Sequence, residues 1–245
     1  MAGRRAHSAS LPRAHSQHFL RPPYAAELVR DAGLRSGDVV VDVGAGNGRL
    51  TAHLARVASR VVAIELDPRL ATGLRGRWPN VDVIEADAAD VCMPREPFRV
   101  VANLPFSRTN DLLHHLLDDP AVPLLRADVI VQWGVARKRG IPWPSTMNSV
   151  VWGAMYQPSI SRRLPPNAFE PPPSVDAGVL VFQRRTHPLV EPSALPAYRR
   201  FVARGFRHGL RAVIPVRAVA SIAQPGASAR DLDPYQWAQL WNRRA

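Results

Sequence analysis

"VDVGAGNGRL", residues 41–50, carries a β-branched run into Gly44, Gly46 and Gly48 and then into a helical pattern. Glycine lets the chain turn tightly and lets backbone approach a ligand. A strand, a glycine turn and a helix in that order mark the ligand-binding edge of an open α/β sheet. The glycines follow G-x-G-x-G, whereas the dinucleotide fingerprint G-x-G-x-x-G puts the third glycine one residue later.

The same alternation continues along the chain. "DVVVDVG" (38–44), "SRVVAIEL" (59–66), "VDVIEAD" (81–87), "FRVVAN" (98–103) and "ADVIVQW" (127–133) read as five strands. Residues 48–58, 68–78 and 109–119 carry leucines at helical spacing between them. Strands alternating with helices predict an α/β fold, a parallel sheet covered on both faces. The proline-rich "LPPNAFEPPPSVDAGVLVFQRR" (164–185) predicts a loop and a further strand, fitting an antiparallel hairpin at the sheet edge. After Arg185 the chain turns basic and helical, with nine arginines against three acids in 186–245. Pro188, Pro192 and Pro196 mark the boundary. The expected organisation is a basic arm over 1–14, a catalytic domain over 15–185 and a small helical domain over 186–245.

The formal net charge of +12 over 245 residues favours a polyanionic partner. Lys138 is the sole lysine, so arginine carries the charge, a skew of the kind a GC-rich genome produces. Codon bias exchanges lysine for arginine but does not create the surplus of bases over acids, so nucleic acid stays the expected partner. No apolar run approaches the length of a membrane span, and the N-terminus lacks the apolar core of a signal peptide. A cytoplasmic protein with no membrane partner is expected. Cys92 stands alone, which excludes an internal disulfide and a cysteine-built metal site. His114 and His115 lie in a leucine-rich helical stretch with no cysteine at ligand spacing, so no metal is expected. Ser107 and Asp128 suggest a hydrolase only if geometry is assumed, and no G-x-S-x-G elbow is present. Trp133, Trp143 and Trp152 are assigned to core and loop packing.

Two acids extend the glycine motif. Glu65 closes the second strand, where a carboxylate can accept both hydroxyls of an adenosyl ribose. Asp67 is assigned instead to a helix cap before Pro68. Asp87, beside Ala88, ends the third strand, where it can accept from an adenine amino group. With the tight glycine spacing and Asp42 just ahead of it, the set suits S-adenosyl-L-methionine, which has no pyrophosphate to seat at a helix N-terminus. "NLPF" (103–106) ends the fourth strand on the same edge. The lone pair of an adenine N6 is delocalised into the ring. An Asn103 side-chain oxygen and the Leu104 carbonyl accepting its two N–H bonds would favour a pyramidal nitrogen. Pro105 stiffens the turn, and Phe106 offers a face for the base, worth roughly 1–3 kcal/mol by stacking.

On these residues the chain resembles the rRNA adenine-N6 methyltransferases, most closely the erythromycin-resistance (Erm) family acting on 23S rRNA. "HSQHFL" (15–20) is similar to that family's N-terminal cofactor motif, "VDVGAGNGRLT" (41–51) to its glycine motif and "ANLPFSRT" (102–109) to its catalytic motif. "VQWGVARKRG" (131–140) and "AFEPPPSVDAGVL" (168–180) resemble later signatures. The resemblance implies a Rossmann-like methyltransferase sheet with a C-terminal helical domain. It also implies cofactor contacts from Gln17, His18 and Leu20, and Phe169 as a second aromatic against the target adenine. His18 stands where the family commonly has asparagine. Phe106 stands where tyrosine is common, keeping the stacking face and losing a hydroxyl. RNA contact is expected from Arg137, Lys138 and Arg139, from Arg4, Arg5 and Arg13, and from Arg199, Arg200, Arg204 and Arg207.

The implied function is methyl transfer to N6 of an adenine in 23S rRNA by a monomer, with resistance to macrolide, lincosamide and streptogramin B drugs. The alternative with the same fold and chemistry is the small-subunit 16S rRNA dimethyltransferase. A nicotinamide oxidoreductase would share the glycine loop and Glu65, but not the glycine spacing or "NLPF". A non-enzymatic rRNA-binding factor would not need the intact clamp.

Overall fold

The computed structural model describes residues 18–214, 219 and 221–244. Gln17 and the arm arginines Arg4, Arg5 and Arg13 lie outside the described residues. The chain opens with β1 (Phe19–Leu20) and α1 (Pro22–Ala32), then alternates through β2 (Val39–Val43), α2 (Arg49–Leu54), β3 (Arg60–Glu65), α3 (Pro68–Leu74) and β4 (Val81–Glu85). It continues with β5 (Phe98–Asn103), α4 (Thr109–Leu117), β6 (Leu124–Gln132), α5 (Trp133–Gly140) and α6 (Met147–Met155). Strands β7 (Tyr156–Leu164), β8 (Phe169–Glu170) and β9 (Ala177–Arg184) follow, then α7 (Leu195–His208) and α8 (Pro234–Asn242).

Seven strands form one sheet in the order β4-β3-β2-β5-β6-β9-β7, and β1 pairs β8 in a two-stranded ribbon. The five central strands are parallel; β9 lies antiparallel to β6 and β7 antiparallel to β9. All five expected strands are present. The edge hairpin is present too, but its outer strand is β7, and α1, α5 and α6 are additional to the helices read from the sequence.

Strand side chains alternate between faces, and the two cores follow that alternation. Val40, Val61, Val101, Ile130 and Val181 face one way, against Leu28 and Val29 of α1 and Leu50 and Leu54 of α2. Val41, Val62, Val100, Val129 and Phe182 face the other, against the leucines of α4 and the Val150–Met155 stretch of α6. That second core continues into the C-terminal helices. Trp152 meets Phe182 edge-on at 6.0 Å, and Tyr198 and Phe201 of α7 meet Trp241 of α8 at 5.6 and 5.4 Å.

Several charged groups hold this frame together. Buried Arg99 donates to Asp38 at 3.0 Å and to the Gly33 carbonyl at the end of α1, so a cation sits at that helix's negative pole. Arg126 grips buried Asp128 through two 2.7 Å bonds. Asp118 receives Trp152 at 2.7 Å and Arg199 at 2.6 Å, tying α4 to α6 and α7. Burial raises the Asp118 carboxyl, but bonds from Trp152 and His114 and the Arg199 charge outweigh it and leave it below the usual carboxylate range. His114 bonds Asp118 and Asn148, while His115 bonds the Val91 carbonyl. Among the described residues no helix is long and apolar enough to cross a membrane.

Candidate active site

The chain steps outward from β2 to β3 to β4, then returns to lay β5 on the other flank of β2. This reversal leaves a crevice beyond the carboxyl ends of β2 and β5, the binding position of open α/β sheets. A cleft of about 350 Å³ opens there, within the size range of a small-molecule site.

The turn after β2 forms one wall. Gly44, Gly46 and Gly48 have φ of 73, 58 and 80°, values that L side chains rarely adopt. A side chain at Gly46 would also meet the Phe19 ring at 2.8 Å, and one at Gly44 would meet Pro105 at 3.3 Å. The loop is therefore packed tightly between β1 and the turn after β5.

Glu65, buried at the end of β3, fixes this loop from beneath. Its Oε2 accepts the Gly46 N–H at 2.7 Å and its Oε1 the Asp67 N–H at 2.9 Å. A carboxylate has about four lone-pair sites, so acceptor capacity remains for a diol. Asp67 in turn caps α3 by accepting the Arg69 N–H at 2.8 Å. Asp42, in β2, is buried and accepts from the Thr51 hydroxyl of α2 at 2.7 Å. Burial pushes its carboxyl up to about 7; the Thr51 bond opposes that rise and the nearby Glu65 charge adds to it.

Beyond β4, Asp87 accepts the Ala89 N–H at 3.0 Å and pairs with Arg108 at 2.9 Å. Arg108 belongs to the turn after β5, so this pair links the outer strand to the segment that holds Asn103–Phe106.

That turn holds the most informative atom in the molecule. The Asn103 Nδ2 donates to the His18 carbonyl at 2.7 Å, which fixes the amide's orientation. Its Oδ1 is buried and accepts no hydrogen bond from any described residue. Leu104 is buried beside it, anchored by its N–H on the Ile130 carbonyl at 3.2 Å. Phe106 is half-buried, 5.8 Å from the His18 ring and 6.3 Å from Phe169, which meets it edge-on. His18 donates from Nδ1 to the Pro171 carbonyl at 2.9 Å, so its ring is held as part of the wall.

The cleft thus gathers His18, Gly44, Gly46, Glu65, Asp87, Ala88 and the whole Asn103–Phe106 turn. Leu20 and Phe169 are placed differently from the expectation. They pair across β1 and β8, are buried, and back the wall without lining it. Phe169 therefore supports Phe106. Arg137 and Lys138 are exposed on α5. Arg139 turns inward to bond Thr146 at 2.7 Å and lies 5.3 Å from the centre of the Trp152 ring, so it is less free than its two neighbours. Phe19, Leu66 and Arg108 also line the cleft and were not singled out from the sequence. Leu66 had a readable signal, an apolar residue directly after the strand-ending acid; it is 43% exposed.

Sheet order and cleft define a class, the Rossmann-like methyltransferases, whose methyl donor is S-adenosylmethionine. Within that class the chain belongs to the ribosomal RNA adenine dimethylase family, whose model matches residues 10–213, and it is an rRNA adenine-N6 methyltransferase. It is 34% identical over 215 residues to the mycinamicin-resistance protein MyrB of Micromonospora griseorubida, covering 82% of this chain and 68% of that one. It is 33% identical over 252 residues to ribosomal RNA small subunit methyltransferase A of Rubrobacter xylanophilus, covering 93% and 92%. The crystal structure of 23S rRNA methyltransferase ErmE superposes with a TM-score of 0.82 at 30% identity, covering 92% of this chain and 99% of that one.

Proposed function

We propose that this enzyme methylates N6 of an adenine in 23S rRNA and thereby confers resistance to macrolide, lincosamide and streptogramin B antibiotics. The buried, unpartnered Asn103 Oδ1 supports N6 chemistry, and near-complete superposition on ErmE supports the large-subunit target. The residues fit the cofactor that the family implies. Glu65 keeps acceptor capacity for the ribose hydroxyls, Asp87 and Ala88 border the adenine position, and Leu66 offers an apolar face beside them. When bound, S-adenosylmethionine supplies a methyl group on a sulfonium, an electrophile that needs only an aligned lone pair.

The chain's own residues supply that alignment. The target adenine must leave its stack, which costs a few kcal/mol, and Phe106 returns part of this by stacking. Asn103 Oδ1 and the Leu104 carbonyl accept the two N6 hydrogens and draw the nitrogen toward a pyramidal geometry with its lone pair free. Pro105, wedged against Gly44, keeps the turn from relaxing. After transfer, N6 is a cationic, acidic nitrogen and releases its proton to water, so no general base is required.

The likeness to the small-subunit enzyme of Rubrobacter supports a second reading, dimethylation of 16S rRNA. Expression in a macrolide-sensitive host, followed by mass mapping of both rRNAs, separates the two. We expect a methylated adenine in 23S rRNA together with a raised drug tolerance. Modification confined to 16S rRNA, with unchanged tolerance, would overturn the large-subunit assignment.

A further inference from the structure

Away from the catalytic cleft, a second hollow of about 210 Å³ lies between the end of α5, the start of β7 and the start of α8. It is smaller than the roughly 300–1,000 Å³ of a typical cofactor site, a size suited to one ring system. Among the described residues seven large apolar side chains are exposed, and three of them, Ile141, Trp143 and Tyr235, line this one hollow. Trp143 is 54% and Tyr235 49% exposed, so the expected packing role of Trp143 does not account for its position. An exposed apolar cluster of this kind marks a binding surface.

Both rings are held in place. The Trp143 indole N–H donates to the Asp231 carbonyl at 3.1 Å. Arg185 lies 4.7 Å from the centre of the Tyr235 ring, donates to its hydroxyl at 2.8 Å and is itself anchored on the Gly153 carbonyl at 2.9 Å. Gln157, at the rim, is exposed, and its amide has no partner among the described residues. An amide presents one donor group and one acceptor, the pattern of a base edge. Arg137 and Lys138 stand exposed in the last turn of α5, just before Gly140 at the hollow's edge. Arg139, which lines the hollow, also reaches Asn110 at 3.4 Å, in the first turn of the helix that leaves the catalytic loop.

We propose that this hollow receives a second, unpaired nucleobase of the RNA substrate, with adjoining phosphates on Arg137 and Lys138. Proteins read splayed-out RNA bases with aromatic rings, Arg planes and side-chain amides, and all three converge here. The flanking cations and the net charge of +12 favour a nucleotide over an apolar protein side chain. The inference rests on an rRNA substrate but not on which rRNA it is.

The test is filter binding of the full chain to deproteinised rRNA at several salt concentrations, using whichever rRNA the unmodified enzyme methylates. Trp143→Ala should weaken binding about five- to a hundredfold, the range of one lost stack. The salt slope should stay unchanged, because no phosphate contact is removed. Trp143→Phe also lacks the bond to Asp231 but keeps a stacking face, and should stay within a few-fold of the unmodified enzyme. Gln157→Leu, a change at an exposed position, should weaken binding several-fold. If Trp143→Phe fails as badly as Trp143→Ala, the indole serves the fold and the proposal falls. It falls equally if Trp143→Ala and Gln157→Leu both bind deproteinised RNA normally, which would assign the hollow to a protein side chain. A shift of methylation from 23S to 16S rRNA would defeat the large-subunit reading and leave this comparison of variants intact.

Discussion

The crevice between β2 and β5 and the outer face of α7 are both expected to meet the same RNA, yet they are built in opposite ways. In the crevice nearly every polar group is already bonded. Glu65 holds two backbone N–H groups, Asp87 holds Arg108 and a backbone N–H, and the Asn103 amide is held by His18. Only one buried side-chain acceptor there, Asn103 Oδ1, lacks a partner among the described residues. On α7, Arg200, Arg204 and Arg207 are exposed, share one helix face, and have no acid paired to them among the described residues. Chemistry needs fixed acceptors where charge develops. Affinity for a polyanion needs cations free to exchange counterions for phosphates.

The largest effect should come from breaking the fixed side of that contrast. Asn103→Ala removes that unpartnered side-chain acceptor and should lower turnover about 10²–10³-fold, by analogy with losing one preorganised group at a developing charge. RNA affinity should hardly change, because stacking and phosphate contacts remain. Single-turnover methylation of an rRNA transcript measures the first, and filter binding the second. Turnover within a few-fold of normal would show that N6 is activated by some other group.

The exposed side breaks differently, and α7 contains its own control. Changing Arg200, Arg204 and Arg207 together to Gln should reduce RNA affinity and lower the log–log salt slope by roughly 2, if each arginine meets a phosphate. Stability should rise by a few tenths of a kcal/mol as like charges three and four residues apart are removed. Arg199→Gln, one residue away, should do the reverse. Its guanidinium is spent on Asp118 at 2.6 Å, so the change should cost about 1 kcal/mol and leave the RNA slope alone. Salt titrations and thermal melts of the two variants decide the matter. If both give the same slope as the unmodified chain, α7 braces the fold and does not grip RNA.

The contrast also explains what could be read in advance. The five parallel strands and the cleft residues at their ends, Gly44, Glu65, Asp87 and Asn103, were legible because each is a local pattern, a β-branched run closed by a glycine, an acid or an amide. Of the elements that escaped, three did so for different reasons. Helix α6 is buried along almost its whole length, so it shows no amphipathic period. Strand β7 contains Pro158 and alternates with polar residues, which an outermost strand tolerates and a central one does not. Helix α1 starts on Pro22-Pro23 behind Arg21, with no side-chain cap to announce it. The arginines were the least legible. Arg139 and Arg199 read like their exposed neighbours, and only the folded chain brings Thr146 and Asp118 within their reach.

The remaining effect, on stability alone, lies deepest in the crevice wall and tests whether its fixed character includes a strained charge. Asp42 has a folded-state pKa of about 7 against 3.8 as a free side chain, mainly because burial penalises the carboxylate. Below about pH 4 both folded and unfolded chains hold the proton, and Asp42 contributes no pH dependence. Between pH 4 and 7 the folded chain keeps a proton that the unfolded chain has lost, so this group makes stability fall as pH rises; above 7 the loss is complete. Other carboxylates act in the opposite sense, so the signal is a difference between two proteins. Asp42→Asn keeps an oxygen for the Thr51 hydroxyl and removes the titration. The melting temperature of Asp42→Asn relative to the unmodified chain should therefore climb as pH goes from 5 to 8, then level off. Parallel curves across that range would mean that Asp42 is ionised throughout, and that the wall beneath the glycine loop carries an ordinary carboxylate.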